Sequence, residues 1–240
     1  MPNSIIEYHK LQKSSTFPHV GWNTSTNSVP LLQTLKEFED VFTLKPHVEG
    51  IDCPPKEINF YNEDFRVRRP PRTLNPARLE VAKQIFDELV DSGFAVPLHH
   101  EFSSPVCLVV YTDHRKPCFT GDYSGKDGVN ANTIPVEPNL TKNSDVLVFP
   151  SQANYIGTLE LPKAFWQLKI AEKDWQKTAL SIPGKSIMSK RAAFGLKNVP
   201  VFQNVMADIF SGYGIFIYID DIIVRGTTSE QVQRSPSPRF

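Results

Sequence analysis

The sequence lacks any excess of charge: Lys and Arg number 26 and Asp and Glu 26, so the formal net charge is zero. A balanced chain has no global electrostatic pull toward a polyanion, and any basic groove must be local. Cysteine is scarce. Cys53, Cys107 and Cys118 are odd in number and lack Cys-x-x-Cys spacing, which argues against a disulfide framework or zinc site and fits a reducing compartment. Long apolar runs are missing too: no segment reads as a membrane span, and the polar residues 1–29 are no secretory signal. Localisation is not fixed by these absences, and an intracellular place (cytoplasm or nucleus) is the expectation; at 240 residues the chain is long enough for one or two domains with a real core.

Residues 1–29, rich in Ser, Thr and Asn, show no periodicity and read as linker-like. Leu31, Leu35, Phe38 and Phe42 fall at helical spacing and predict one short amphipathic helix. Prolines crowd residues 43–73, which read as an extended connector carrying the basic cluster Arg66, Arg68, Arg69 and Arg72. That cluster reads as a solvated linker slightly ahead of a nucleic-acid contact. A stronger helix follows over 76–92: Asn75 suits the cap, Pro76 the first turn and Gly93 the end, with Leu79, Ala82, Phe86 and Leu89 as its apolar stripe. Strands are expected over 106–111 and 119–123, joined by a polar turn at 112–116.

The most informative stretch is Tyr218-Ile219-Asp220-Asp221, set between apolar β-formers. Ile215, Phe216 and Ile217 read as one strand and Ile222, Ile223 and Val224 as its return, with the Asp pair at the tip. Two close carboxylates repel and need cations, and an oxygen-only donor set suits Mg²⁺. A lone Asp-Asp is more often a polar turn, so the motif needs company.

It has company in order along the chain: Leu74 to Val110, Thr120-Gly-Asp-Tyr-Ser124, Leu159-Glu-Leu-Pro-Lys-Ala-Phe-Trp-Gln167, and Phe194-Gly-Leu-Lys-Asn-Val-Pro-Val-Phe-Gln203. Together these blocks resemble the reverse transcriptase of gypsy-type long-terminal-repeat retrotransposons, over roughly Arg66 to Thr228. The resemblance implies an α+β right-hand polymerase with fingers and palm, an antiparallel palm sheet and packed helices. It divides the chain into a linker-like segment 1–65 with one short helix, fingers and palm over 66–228, and a tail over 229–240. A thumb is expected to be absent, as are the protease, ribonuclease H and integrase parts of a pol polyprotein.

By the same resemblance, Glu160, Asp220 and Asp221 are the catalytic and metal-holding carboxylates. They would bind Mg²⁺, or Mn²⁺, for transfer of a nucleotide from a dNTP to a primer 3′-hydroxyl on an RNA or DNA template. Phe165, Phe194, Gly195, Gln203 and Tyr218 are the implied nucleotide-pocket residues, with Phe165 gating the sugar and Tyr218 positioning Asp220 and the primer end.

Four departures stand out. Glu160 replaces the family's Asp, lengthening the side chain by about 1.5 Å. Cys118 lies where the family has a triphosphate-gripping Arg or Lys, so that contact is expected to be lost unless a shifted turn brings in Arg115 or Lys116. One residue is missing between Pro200 and Phe202, which would turn the next helix by about 100° or be absorbed by the loop. Ser186 to Ala193 is polar and basic where the family has an apolar strand, so irregular structure is expected there. An alternative from another class follows: a catalytically inactive retrotransposon relic, at most a weak nucleic-acid-binding or interaction module.

Overall fold

The computed structural model describes residues 12–13, 21–22, 49–98, 102–110, 117–137, 148–149, 153–161, 164–228 and 231. The helix expected over Leu31 to Phe42, the turn 112–116 with Arg115 and Lys116, the Cys118 side chain and nearly all of the tail lie outside them. A small antiparallel ladder, β1 (Gln12–Lys13) with β2 (Gly21–Trp22), occurs within the stretch read as linker-like.

Helix α1 (Pro76–Asp91) begins where its signals place it. The Asn75 side chain accepts a hydrogen bond from the Arg78 N–H, Pro76 opens the first turn, and Gly93 takes a left-handed φ of +76° just past the end. Ala82 and Phe86 are buried along the expected stripe, and Leu79 and Leu89 pack at its margins. Such a helix gains little from propensity alone. Burying a side chain the size of Phe86 contributes about 1.5–3 kcal/mol.

This face covers a five-stranded sheet. In chain order its strands are β3 (Ala95–Pro97), β4 (Ser104–Val109), β5 (Cys118–Gly121), β7 (Leu180–Ile182) and β8 (Lys185–Ser189). They lie in the spatial order β3-β8-β7-β4-β5, with β4 and β7 the one parallel pair. Strands β4 and β5 form the expected antiparallel hairpin, with Cys107 opposite Thr120. Phe86 meets Phe119 edge to face at 5.7 Å, fastening α1 to that hairpin.

A second sheet is antiparallel, in the order β6 (Tyr155–Glu160), β10 (Asp221–Gly226), β9 (Phe216–Tyr218). Short α2 (Val129–Asn132) and α3 (Phe202–Ile209) complete the α+β arrangement, with α3 packed against β9.

Two stretches differ from expectation. Residues 185–189 form a regular strand, contrary to the irregular structure predicted from polarity. Ile187 is fully buried there, and the Ser189 N–H donates to Thr178 Oγ1 at 2.7 Å, so hydroxyl partners absorb the polarity. Residues 49–67 are extended but packed: Ile51, Ile58, Phe60 and Val67 join the core. The proline-rich composition hides this because the stretch has no repeat. Its anchor is a buried ion pair, Lys177 with Asp174 at 2.9 Å. The Ile58 N–H donates to Asp174 at 3.1 Å, and the Lys177 ammonium donates to the Ile58 carbonyl at 2.7 Å.

Candidate functional site

The acidic motif forms a two-residue hairpin. Tyr218 ends β9, Ile219 and Asp220 make the turn, and Asp221 begins β10 opposite Tyr218. On the other side of β10, Asp221 lies opposite Glu160, the last residue of β6. Directly paired residues share a face of a sheet, with Cβ atoms about 4.5–5.5 Å apart. Glu160, Asp221 and Tyr218 therefore form one row across three strands. Asp220 is tied to the same end, its carbonyl accepting the Leu161 N–H at 2.8 Å. Glu160 and Asp221 are exposed, and Asp220 is half-buried.

Ile219 carries a φ of +56°, alone among the described non-glycine residues in the left-handed region. A left-handed first loop residue suits the twist of a two-residue hairpin, a position usually given to glycine. For a β-branched side chain this is strained. Gln203, in the first turn of α3, holds it. The amide nitrogen donates to the Ile217 carbonyl at 2.9 Å, and the amide oxygen accepts the Ile219 N–H at 2.6 Å. Gln203 is 3% exposed. It faces the hairpin and not an open pocket, so the structure departs from its expected place as a nucleotide contact. A 3₁₀ turn, Val199–Val201, takes up the shortened motif, and the buried face of α3 becomes Phe202, Gln203, Val205 and Met206.

The loop before α3 is held in a related way. The Asn130 side chain donates to the Gly195 carbonyl and accepts the Lys197 N–H, both at 2.7 Å. The Asn198 side chain donates to the Ile134 carbonyl at 2.9 Å and accepts the Val136 N–H at 3.1 Å. Thr120 Oγ1 donates to the Phe194 carbonyl at 2.7 Å, tying this loop to β5. Phe165, in a 3₁₀ turn (Ala164–Gln167), meets the rings of Phe194 at 5.2 Å and Phe202 at 5.7 Å, both edge to face. Phe194 is 40% exposed and forms the outer wall of this aromatic trio. The structure thus brings Phe165, Phe194 and Gly195 together and sets Gln203 beneath the acidic turn.

Sequence reading missed two features. Asn130, in the short helix α2, and Asn198, in the loop before α3, carry no sequence signal for these bonds. The Arg69 and Arg72 side chains both reach Asp122, Arg69 at 3.2 Å, and Ser124 Oγ donates to the same carboxylate at 2.5 Å. Donation from Ser124, then from Arg69 and Arg72, holds the Asp122 carboxyl well below the usual carboxylate range, against the opposing effect of burial. The Arg cluster was visible in sequence, but its partner lay some fifty positions away.

Glu160, Asp220 and Asp221 supply the hard oxygen donors that Mg²⁺ takes, and the β6–β10 register brings two of them side by side. Among the described residues, no three Asp, Glu, His or Cys side chains lie close enough to hold an ion as they stand. The donor chemistry fits Mg²⁺, with Glu160 and Asp221 exposed and Asp220 half-buried at one end of the sheet.

No protein-family model matches the chain. It is 35% identical over 203 residues to the retrovirus-related Pol polyprotein of the transposon opus of Drosophila melanogaster, covering 79% of this chain and 19% of that polyprotein. It is 30% identical over 100 residues to the corresponding polyprotein of the Drosophila transposon gypsy, covering 40% of this chain and 10% of that one. The chain therefore spans about a fifth or less of these relatives. Its fold matches a foamy viral protease–reverse transcriptase in complex with double-stranded DNA, at a TM-score of 0.76 and 20% identity, over 88% of this chain and 37% of that one.

Proposed function

Because this chain is a homologue of the gypsy-type retrotransposon Pol polyproteins and a reverse transcriptase by kinship, we propose that it is the fingers-and-palm part of an RNA-directed DNA polymerase. The observation that carries the site assignment is the row Glu160, Asp221, Tyr218 at the end of the three-stranded sheet, with Asp220 at its tip. Glu160, Asp220 and Asp221 would hold Mg²⁺, or Mn²⁺. When bound, such ions activate a primer 3′-hydroxyl and neutralise charge on the leaving pyrophosphate.

The remaining roles belong to this chain's own groups. Tyr218, opposite Asp221 in the register, positions Asp220 and the primer end. Phe165, braced by Phe194 and Phe202, fills the space that a ribose 2′-hydroxyl would need and favours deoxynucleotides. Gly195, with φ of +99° and no side chain, lets backbone approach closely beside Phe194. The substrates of this reading are dNTPs and an RNA or DNA primer–template.

A second reading, a catalytically inactive relic, is favoured by Glu160. Its extra methylene moves one carboxylate by about 1.5 Å, and a misplacement of about 1 Å costs on the order of a hundredfold in rate. Primer extension on a primed RNA template with labelled dNTPs, in Mg²⁺ and in Mn²⁺, separates the two. Extension by the natural chain that Asp220→Asn abolishes establishes the polymerase. Silence from the natural chain with extension by Glu160→Asp makes that methylene the lesion. Silence from both leaves the relic.

A further inference from the structure

We infer that Gln203 is a positioning residue: its buried amide fixes the left-handed turn at Ile219 and thereby sets where Asp220 and Asp221 stand against Glu160. A β-branched residue at φ of +56° costs about 1–3 kcal/mol and persists only where its surroundings over-determine it. The β9–β10 pairing and the Leu161 N–H on the Asp220 carbonyl hold the two ends of the turn, and the Gln203 side chain holds Ile219 itself. The Gln203 amide bonds the backbone on both sides of Tyr218, at the Ile217 carbonyl and the Ile219 N–H. With both groups engaged and 3% of its surface exposed, Gln203 offers nothing to a ligand. Its action on chemistry is therefore through the turn.

The same device recurs twice in the neighbourhood. Asn130 spans the Gly195 carbonyl and Lys197 N–H, and Asn198 spans the Ile134 carbonyl and Val136 N–H. Each amide bonds a carbonyl and the N–H two residues on, as a neighbouring strand would. Irregular backbone, which lacks a ladder, is given a one-residue substitute for it. At Asn130 and Asn198 the device fixes the loop beneath Phe194. At Gln203 it fixes the acid-bearing turn, and α3 joins the two.

The consequence for metal affinity rests on the carboxylate reading above, while the clamp itself does not. The test measures amide hydrogen exchange at Ile219 by NMR and Mn²⁺ affinity by EPR titration. It compares the natural chain with Gln203→Met, the double variant Gln203→Met/Ile219→Gly, and Asn204→Ala as a control on the same helix. Gln203→Met, which keeps length and loses both bonds, is expected to speed Ile219 exchange about five- to tenfold. It is expected to weaken Mn²⁺ binding about ten- to a hundredfold, as loss of an outer-shell support does.

Glycine at 219 tolerates the left-handed φ unaided. The double variant should therefore recover most of the affinity, which a merely structural role for Gln203 would not produce. Unchanged Ile219 exchange in Gln203→Met, or unchanged Mn²⁺ affinity beside faster exchange, overturns the proposal. If Gln203→Met does not fold, Gln203→Asn, one methylene too short to span both partners, is held to the same outcomes. If the natural chain binds no Mn²⁺, the carboxylate reading fails, and Ile219 exchange alone decides the clamp.

Discussion

Glu160 lies directly opposite Asp221 in the β6–β10 ladder, so two carboxylates that repel share one end of the sheet. Like charges directly opposite destabilise a pair of strands, where opposite charges would contribute about 0.2–1 kcal/mol. Nothing in packing calls for this arrangement, since both residues are exposed. On the proposed reading, a cation held between the two carboxylates offsets that repulsion.

Neutralising either member should therefore stabilise the metal-free protein. Glu160→Gln and Asp221→Asn are each expected to raise the thermal midpoint by a degree or more in chelator, corresponding to a few tenths of a kcal/mol. Added Mn²⁺ should stabilise the natural chain and leave both variants where they were. Differential scanning calorimetry with and without Mn²⁺ reads this. Variants less stable than the natural chain in chelator would contradict it.

The ion pair between Lys177 and Asp174 is buried on both sides, and it binds residues 58–63 to the core. Removing one partner strands the other charge. Asp174→Ala is expected to cost about 3–5 kcal/mol, since it also frees the Ile58 N–H. The double variant Asp174→Ala/Lys177→Met should cost clearly less than the two single changes added together. Urea denaturation of the four proteins completes the cycle, and simple additivity would mean the pair does not act as a unit.

Most of the local elements could be read from sequence, and the way they are joined could not. Asn75, Pro76 and Gly93 announce α1 because capping chemistry is local, and the apolar flanks of Asp220-Asp221 announce a hairpin for the same reason. The register that sets Glu160 beside Asp221 depends on strands some sixty positions apart, and only resemblance brought those residues together beforehand. Residues 49–67 carry core side chains without periodicity, so composition made a packed stretch look like a connector. Gln203 illustrates the limit best. Its place in a motif was legible, but whether its amide meets solvent or the Ile219 N–H depends on how the shortened loop settles.

Asp122 predicts a pH dependence. Its folded carboxyl is held below the unfolded value of about 3.9, chiefly by Ser124 and then by Arg69 and Arg72. A depressed carboxyl contributes stability that is fully present above the unfolded value and is lost as pH falls through the folded one. The natural chain should therefore exceed Asp122→Asn in stability by an amount constant from pH 7 to about 5. That margin should shrink steadily below about pH 4. Thermal midpoints from pH 7 to 2 for both proteins test this, and a margin that does not change with pH would show that the carboxylate's charge is not what binds Arg69 and Arg72.

Gly195 lies against β5, and its backbone leaves no room for a side chain. A Cβ there would stand 2.5 Å from the Gly121 carbonyl oxygen and 3.0 Å from Thr120 Oγ1, at a φ of +99°. Gly125 shares the left-handed φ, at +86°, but has nothing within 4 Å of the added atom. The two positions separate backbone strain from collision. Gly125→Ala should carry only the conformational cost, about 1 kcal/mol. Gly195→Ala should carry that cost plus the displacement of the loop from β5, and so lose the Thr120–Phe194 hydrogen bond. Phe194 would then move off Phe165, the ring it braces. The expected result is a fall in urea midpoint at least twice as large for Gly195→Ala as for Gly125→Ala. Equal falls would mean that the loop yields freely and that the contact between Phe194 and Phe165 does not depend on Gly195.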